Sequence, residues 1–97
     1  MIKKRYFKTK HEVEVTFEVS VPDVDGVSVL CDVTGWEPVP MKSVRGRWRA
    51  SLRLPLDRQV QFRYLAANGH WITDDEADGH VGNEYGGQNA VVDTSRP

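Results

Sequence analysis

Residues 62–71, FRYLAANGHW, place an arginine, a turn and a tryptophan within ten positions of the chain. A flat indole can stack on the apolar face of a ligand, and a neighbouring arginine can donate directional hydrogen bonds. The same indole can instead fill a protein core, since large indoles are usually mostly buried. The outcome depends on whether Trp71 shares a face of the sheet with Phe62 and Tyr64 or with Arg63.

The acidic stretch DDEADG, which begins at Asp74, offers a different chemistry. Asp74, Glu76 and Asp78 alternate as in a calcium loop, but the twelfth position is Tyr85 instead of glutamate and no helix is predicted beside it. Neighbouring carboxylates such as Asp74 and Asp75 can also hydrolyse glycosides. These carboxylates fall on a loop of a small domain in which no deep cleft is predicted, so we assign them neither role.

The histidines and nucleophiles of the chain add no further chemistry. His11, His70 and His80 do not have the spacing of metal ligands, and no candidate nucleophile has a partner base. The sequence therefore predicts a protein that is not an enzyme, with no metal site and no cofactor.

Composition limits the class of protein and its partners. The chain has 97 residues, of which 39% are hydrophobic and 28% charged, and its net charge is -1. These values are typical of one soluble globular domain and argue against nucleic acid as the main partner. Its single cysteine, Cys31, cannot form an internal disulfide, and no apolar run has the length of a signal peptide or membrane span. We expect a cytoplasmic protein without a membrane partner.

Alternation of apolar and polar residues predicts an all-β protein. Residues 12–21, EVEVTFEVSV, alternate without a fault, and shorter alternating runs follow, separated by turns rich in Pro and Gly. The alternating runs are 27–33, 47–54, 59–66 and 89–93. This pattern predicts an immunoglobulin-like antiparallel β-sandwich. We place it at residues 11–94, between a basic, mobile N-terminal arm (1–10) and a short tail (95–97).

Two tryptophans outside the opening stretch are assigned by their surroundings. Trp48 is in phase with Ala50 and Leu52, which predicts a core position, whereas Trp36 begins a long loop at 34–46 and is expected to be exposed. Arg63 is also consistent with a solvated row of arginines that includes Arg47, Arg49 and Arg53.

The turn before Trp71 has two possible lengths. A two-residue turn at Asn68 and Gly69 pairs Ala66 with Trp71 and directs the indole into the core. A three-residue loop at 67–69, closed by Gly69 in the left-handed region, pairs Leu65 with Trp71 and directs the indole outward. The residues themselves favour neither length.

The order of several segments resembles a known family. VTGWEPVPM, GRWRASLRLP, FRYLAANGHWITDDEAD and NEYGGQNAVV follow the opening strand in this order. Together they resemble the isoamylase N-terminal domain, a family 48 carbohydrate-binding module of the immunoglobulin-like E-set type. Relatives include the glycogen-binding domain of the AMP-activated protein kinase β subunit. The resemblance covers about residues 12–93.

The resemblance implies a binding site for α-1,4-linked glucans on an outer face of the sandwich. The tryptophan of the family's GxFNxW motif falls on Trp36, the basic residue of its YKF motif on Arg63, and the tryptophan of its DGxW motif on Trp71. Its GxxN segment falls on 86–89. The implied carbohydrate-binding residues are Trp36, Arg63, Trp71, Tyr85, Gly87 and Asn89. This assignment requires the three-residue loop.

These implications predict a non-catalytic module that binds glycogen, starch or maltooligosaccharides by aromatic stacking. An α-glucan and a separate glycan-active enzyme are the expected partners. The alternative is a protein-interaction or structural module of the same fold that has lost sugar binding, for which exposed edge strands and the basic residues would provide the partner surface.

Overall fold

The regular secondary structure of the described residues is almost entirely β-strand. The computed structural model describes residues 1–83 and 86–97, and these form ten strands and a short 3-10 helix at Asp32–Thr34. The strands are β1 (Ile2–Tyr6), β2 (Glu12–Val19), β3 (Val27–Cys31), β4 (Val39–Pro40), β5 (Lys42–Val44), β6 (Arg47–Pro55), β7 (Gln59–Ala66), β8 (Trp71–Ile72), β9 (Gly79–Gly82) and β10 (Gln88–Asp93).

The strands form two antiparallel sheets that pack face to face. The first sheet has the order β1-β2-β6-β5, and the second has the order β4-β3-β7-β10-β9, with β8 also paired to β7. The predicted all-β, immunoglobulin-like sandwich is therefore confirmed. Among the described residues, no helix is long and apolar enough to span a membrane.

Alternating side chains build the core between the sheets. In β2, Val13, Val15 and Phe17 are buried, and in β7 every second residue, including Phe62 and Tyr64, is buried as well. The rings of Phe17 and Phe62 are 4.8 Å apart, and those of Phe62 and Tyr64 are 5.6 Å apart at a steep angle. Because successive strand residues point to opposite faces, Gln61 and Arg63 must face away from this core.

The N-terminal segment forms part of the sandwich. Strand β1 pairs with β2 over its whole length, from Ile2 opposite Phe17 to Tyr6 opposite Val13. The sequence-based boundary at residue 11 was therefore too late, because the many lysines and arginines in 1–10 hid an edge strand. Charged side chains are common on edge strands, where they discourage pairing with other molecules.

The segment at 34–46 was predicted as one long loop, and this was only partly right. Strand β4 pairs with β3 and strand β5 pairs with β6, so the chain passes from one sheet to the other within this segment. Met41 is buried at the crossing point. Strands this short are hard to predict because two or three residues cannot show a period. Strand β9 was missed because its four residues lie in a polar, Gly-rich stretch without a clear alternation.

Strands β8 and β10 occupy the same edge of β7. Strand β10 pairs with the first half of β7, at Gln59 to Phe62, whereas β8 pairs with its second half, at Tyr64 and Leu65. On the outer face of this sheet, side chains from β3, β7, β8 and β10 therefore come together although they are far apart in the sequence.

Candidate functional site

The hairpin between β7 and β8 turns Trp71 outward. Leu65 is opposite Trp71, the Ala66 N–H donates to the His70 carbonyl at 2.9 Å, and the Gly69 N–H donates to the Ala66 carbonyl at 2.9 Å. Gly69 has φ of +88°, in the left-handed region. This is the three-residue loop, and it leaves the Trp71 side chain on the same face as Arg63 and 48% exposed.

Trp36 reaches the same face through an unusual turn. After the 3-10 helix, Gly35 has φ of +67° and Trp36 has φ of +63°. Two backbone hydrogen bonds hold this turn: the Gly35 N–H donates to the Asp32 carbonyl, and the Trp36 N–H donates to that of Cys31. An aromatic residue in the left-handed region is uncommon and strained, and such strain is concentrated at functional sites. The indole is 39% exposed.

The two indoles border one open groove of about 910 Å³ on the outer face of the second sheet. It is lined by Leu30, Trp36, Gln61, Arg63, Trp71, Gly82, Asn83, Gly87 and Asn89. The groove combines two flat aromatic surfaces with an arginine and three side-chain amides. It therefore offers stacking surfaces and directional hydrogen bonds side by side.

Arg63 lies against the indole of Trp71. Its guanidinium carbon is 4.7 Å from the centroid of the indole ring, a cation–π distance. Its Nε is enclosed and has no hydrogen-bond partner within the described residues. The stacked ring holds the guanidinium in place, so its charge stays at the groove wall.

Asn89 belongs to a chain of side-chain amides. The Gly87 N–H donates to Asn83 Oδ1 at 3.1 Å, Asn83 Nδ2 donates to Asn89 Oδ1 at 3.3 Å, and Asn89 Nδ2 donates to Gln61 Oε1 at 3.0 Å. Asn89 itself is only 9% exposed. These bonds fix the orientation of its amide at the base of the groove.

The structure brings together five of the six residues that the sequence singled out, namely Trp36, Arg63, Trp71, Gly87 and Asn89. The sixth, Tyr85, lies outside the described residues. Sequence reasoning missed Leu30, Gln61, Gly82 and Asn83. Gln61 could have been found, because it is two positions before Arg63 in an alternating strand. Asn83 carries no such signal, since a loop brings it to the groove.

The acidic stretch has a structural role. Asp74 is 5% exposed and accepts hydrogen bonds from the Tyr64 hydroxyl at 2.8 Å and from the Glu76 N–H at 2.9 Å. Burial, reinforced by the Asp74 charge, raises the pKa of Tyr64 far above its ordinary value. Asp78 Oδ2 accepts from Lys4 Nζ at 2.7 Å. Within residues 1–83 and 86–97, no group of three His, Cys, Asp or Glu side chains is arranged to hold a metal ion.

The arginines that the sequence grouped with Arg63 lie on the opposite side of the molecule. Arg47 and Arg49 are on β6 of the first sheet, where both contact the carboxylate of Glu18, together with Lys3. Hydrogen bonds from Arg49, together with these nearby positive charges, lower the pKa of Glu18 below its ordinary value. The alternative of one solvated row that includes Arg63 is therefore wrong, because β6 and β7 belong to different sheets.

The chain is similar to a yeast protein. The chain is 30% identical over 88 residues to ULP1-interacting protein 4 of Saccharomyces cerevisiae (strain ATCC 204508 / S288c). The match covers 82% of this chain and 29% of that protein, so the chain spans less than a third of the length of this relative. No protein-family model matches the chain. Membership of the isoamylase N-terminal family stays a prediction.

Proposed function

We propose that this chain is a non-catalytic module that binds α-1,4-linked glucans in the groove between Trp36 and Trp71. The proposal is carried by one observation: two half-exposed indoles line the same groove, together with Arg63 and Asn89. A glucose ring has an apolar C–H face that stacks on an indole and a polar edge that requires hydrogen bonds. The resemblance to family 48 carbohydrate-binding modules supports the same positions.

The exposed areas of the two indoles indicate a weak or moderate affinity. A large aromatic side chain can bury up to about 250 Å². The exposed fractions of 39% and 48% therefore leave roughly 100–120 Å² of each ring for a ligand to cover. At about 25 cal/mol per Å², each ring contributes roughly 2.5–3 kcal/mol before the cost of ordering the sugar. The expected dissociation constant is on the order of micromolar to millimolar.

The test is an NMR titration of the ¹⁵N-labelled chain with maltoheptaose. The chain has three tryptophans, and Trp48 lies on β6 of the first sheet, away from the groove. We expect the indole N–H signals of Trp36 and Trp71 to shift while that of Trp48 stays in place, as an internal control. Soluble cello-oligosaccharides, which are flat, should cause smaller shifts. No change at millimolar maltoheptaose would contradict the proposal.

A second candidate function, recognition of an acidic protein segment, has separate support. A cleft of about 580 Å³ on the first sheet is lined by Lys3, Arg45, Arg47 and Arg49, with Glu18 as its acidic residue. The yeast relative is also named for an interaction with another protein. Binding of an acidic peptide that weakens steeply with salt and with Arg45→Glu would favour this function, since sugar stacking responds little to ionic strength. Binding unaffected by both changes would count against it.

A further inference from the structure

The side-chain amides at the base of the groove form a chain of hydrogen bonds that can run in only one direction. It begins at the Gly87 backbone N–H, which can donate a hydrogen bond but never accept one. The atom of Asn83 that faces it must therefore be the oxygen, which leaves the Asn83 nitrogen to donate to Asn89. By the same reasoning, the Asn89 nitrogen must donate to the oxygen of Gln61. Through these three bonds among the described residues, the Gly87 N–H is consistent with only one orientation of the Asn83, Asn89 and Gln61 amides.

The Gln61 amide, the last member of this hydrogen-bond chain, presents a donor to the groove. Gln61 Oε1 is occupied by Asn89, and Gln61 Nε2 makes no hydrogen bond with the residues that the structure describes. Gln61 lines the groove and lies on the outer face of β7, two residues before Arg63. Strand geometry puts these two side chains on one face about 7 Å apart. The polar wall of the groove therefore presents N–H groups from both.

We infer that Gln61 is a further binding and specificity-determining residue, held as a hydrogen-bond donor by the Gly87–Asn83–Asn89 chain. The inference depends on the proposed glucan-binding function, whose ligand it defines more closely. The ligand is an α-glucan segment whose hydroxyl or ring oxygens accept hydrogen bonds from Gln61 and Arg63. Asn83 and Asn89 act as positioning residues, because they decide which end of the Gln61 amide faces the sugar.

The direction of the chain can be tested without a ligand. In the wild type, the Asn89 side-chain N–H that is bonded to Gln61 should exchange slowly with water, whereas the side-chain N–H protons of Gln61 should exchange rapidly. Asn83→Asp still accepts from the Gly87 N–H but cannot donate to Asn89. The side-chain amide groups of Asn89 and Gln61 must then both rotate by about 180°. A side-chain N–H of Gln61 then donates to Asn89 and becomes protected from exchange with water.

Asn68→Asp is the matched control for Asn83→Asp. It adds the same negative charge, and Asn68 Oδ1 likewise accepts a backbone N–H, that of His70 at 3.1 Å. We expect the side-chain signals of Gln61 to be unchanged in this variant. A wild type in which the Gln61 amide is already the protected one would overturn the inference. If Asn83→Asp does not fold, this wild-type measurement decides the direction alone.

The binding role is tested with maltoheptaose and a pair of glutamine variants. Gln61→Glu still accepts from Asn89 but no longer offers a donor to the groove. Gln59→Glu adds the same charge on the same face of β7, outside the groove lining. Loss of one hydrogen bond predicts roughly 2- to 12-fold weaker binding for Gln61→Glu and no change for Gln59→Glu.

The possible outcomes separate this inference from the proposed function. Equal affinity of Gln61→Glu and the wild type would overturn the inference and leave glucan binding intact. A wild type that does not bind maltoheptaose would overturn both the function and the role of Gln61 in it. The exchange measurement would still establish whether the amide chain has the stated direction.

Discussion

Removal of the Trp71 indole is the sharpest test of the groove. Trp71→Ala deletes a ring that is 48% exposed, which corresponds to roughly 120 Å² of apolar surface available to a ligand. At about 25 cal/mol per Å², the variant loses about 3 kcal/mol of binding free energy, or on the order of 100-fold in affinity. Strand pairing at this position uses backbone atoms, so the hairpin with Leu65 should persist.

The assay is isothermal titration calorimetry with maltoheptaose, with the NMR signal of the Trp48 indole as a reporter of the intact sandwich. Val44→Ala is the matched control, since it removes a comparably exposed apolar side chain (43%) from the first sheet. We expect affinity to fall in Trp71→Ala and to stay constant in Val44→Ala. A loss of less than about threefold in a folded Trp71→Ala variant would refute the stacking role, because threefold corresponds to well under 1 kcal/mol.

Three further predictions concern stability. Tyr64→Phe removes the hydroxyl that donates to buried Asp74 and should lower the free energy of unfolding by about 1.5–3 kcal/mol in urea denaturation; an unchanged value would show that this bond contributes nothing. The pKa of Glu18 is lower in the folded state than its ordinary value of 4.5, so ionised Glu18 stabilises the fold above about pH 4.5. This stabilisation is lost as the pH falls through the folded-state pKa. Glu18→Gln should therefore show a flatter loss of stability below about pH 4.5 than the wild type in thermal scans, and identical slopes would contradict the assignment. Gly69→Ala should lower the free energy of unfolding by about 1 kcal/mol, because φ at Gly69 is +88°. Gly82→Ala is the control and should leave stability unchanged, since Gly82 is outside the left-handed region and has open space around it. Equal melting temperatures of the two variants would exclude strain at Gly69.

The strands with complete alternation were predictable from the sequence. The pattern of β7 at Gln59–Ala66 matches the structure residue for residue, and the core positions of β2 follow from period two alone. Local chemistry also identified Trp36 as a loop residue, because glycine and proline surround it. In these segments each side chain is assigned by its immediate neighbours.

The short strands were not predictable, and neither was the relation between the sheets. Strand β4 has two residues, and β9 is polar and rich in glycine, so each acquires its conformation from the strand beside it. The grouping of Arg63 with the arginines of β6 failed for a related reason. A sequence reveals that two side chains face outward, but it does not reveal from which sheet.

By itself, the sequence determined an all-β domain, its core positions and the amino acids from which a binding groove could be built. Only the tertiary structure decided that Trp71 lies opposite Leu65 and that Trp36, from a different loop, lines the same groove. It also decided that hydrogen-bonded side-chain amides orient Gln61. The physical reason is that hydrophobic alternation acts between near neighbours, whereas register, sheet assignment and hydrogen-bond direction are fixed by partners distant in sequence.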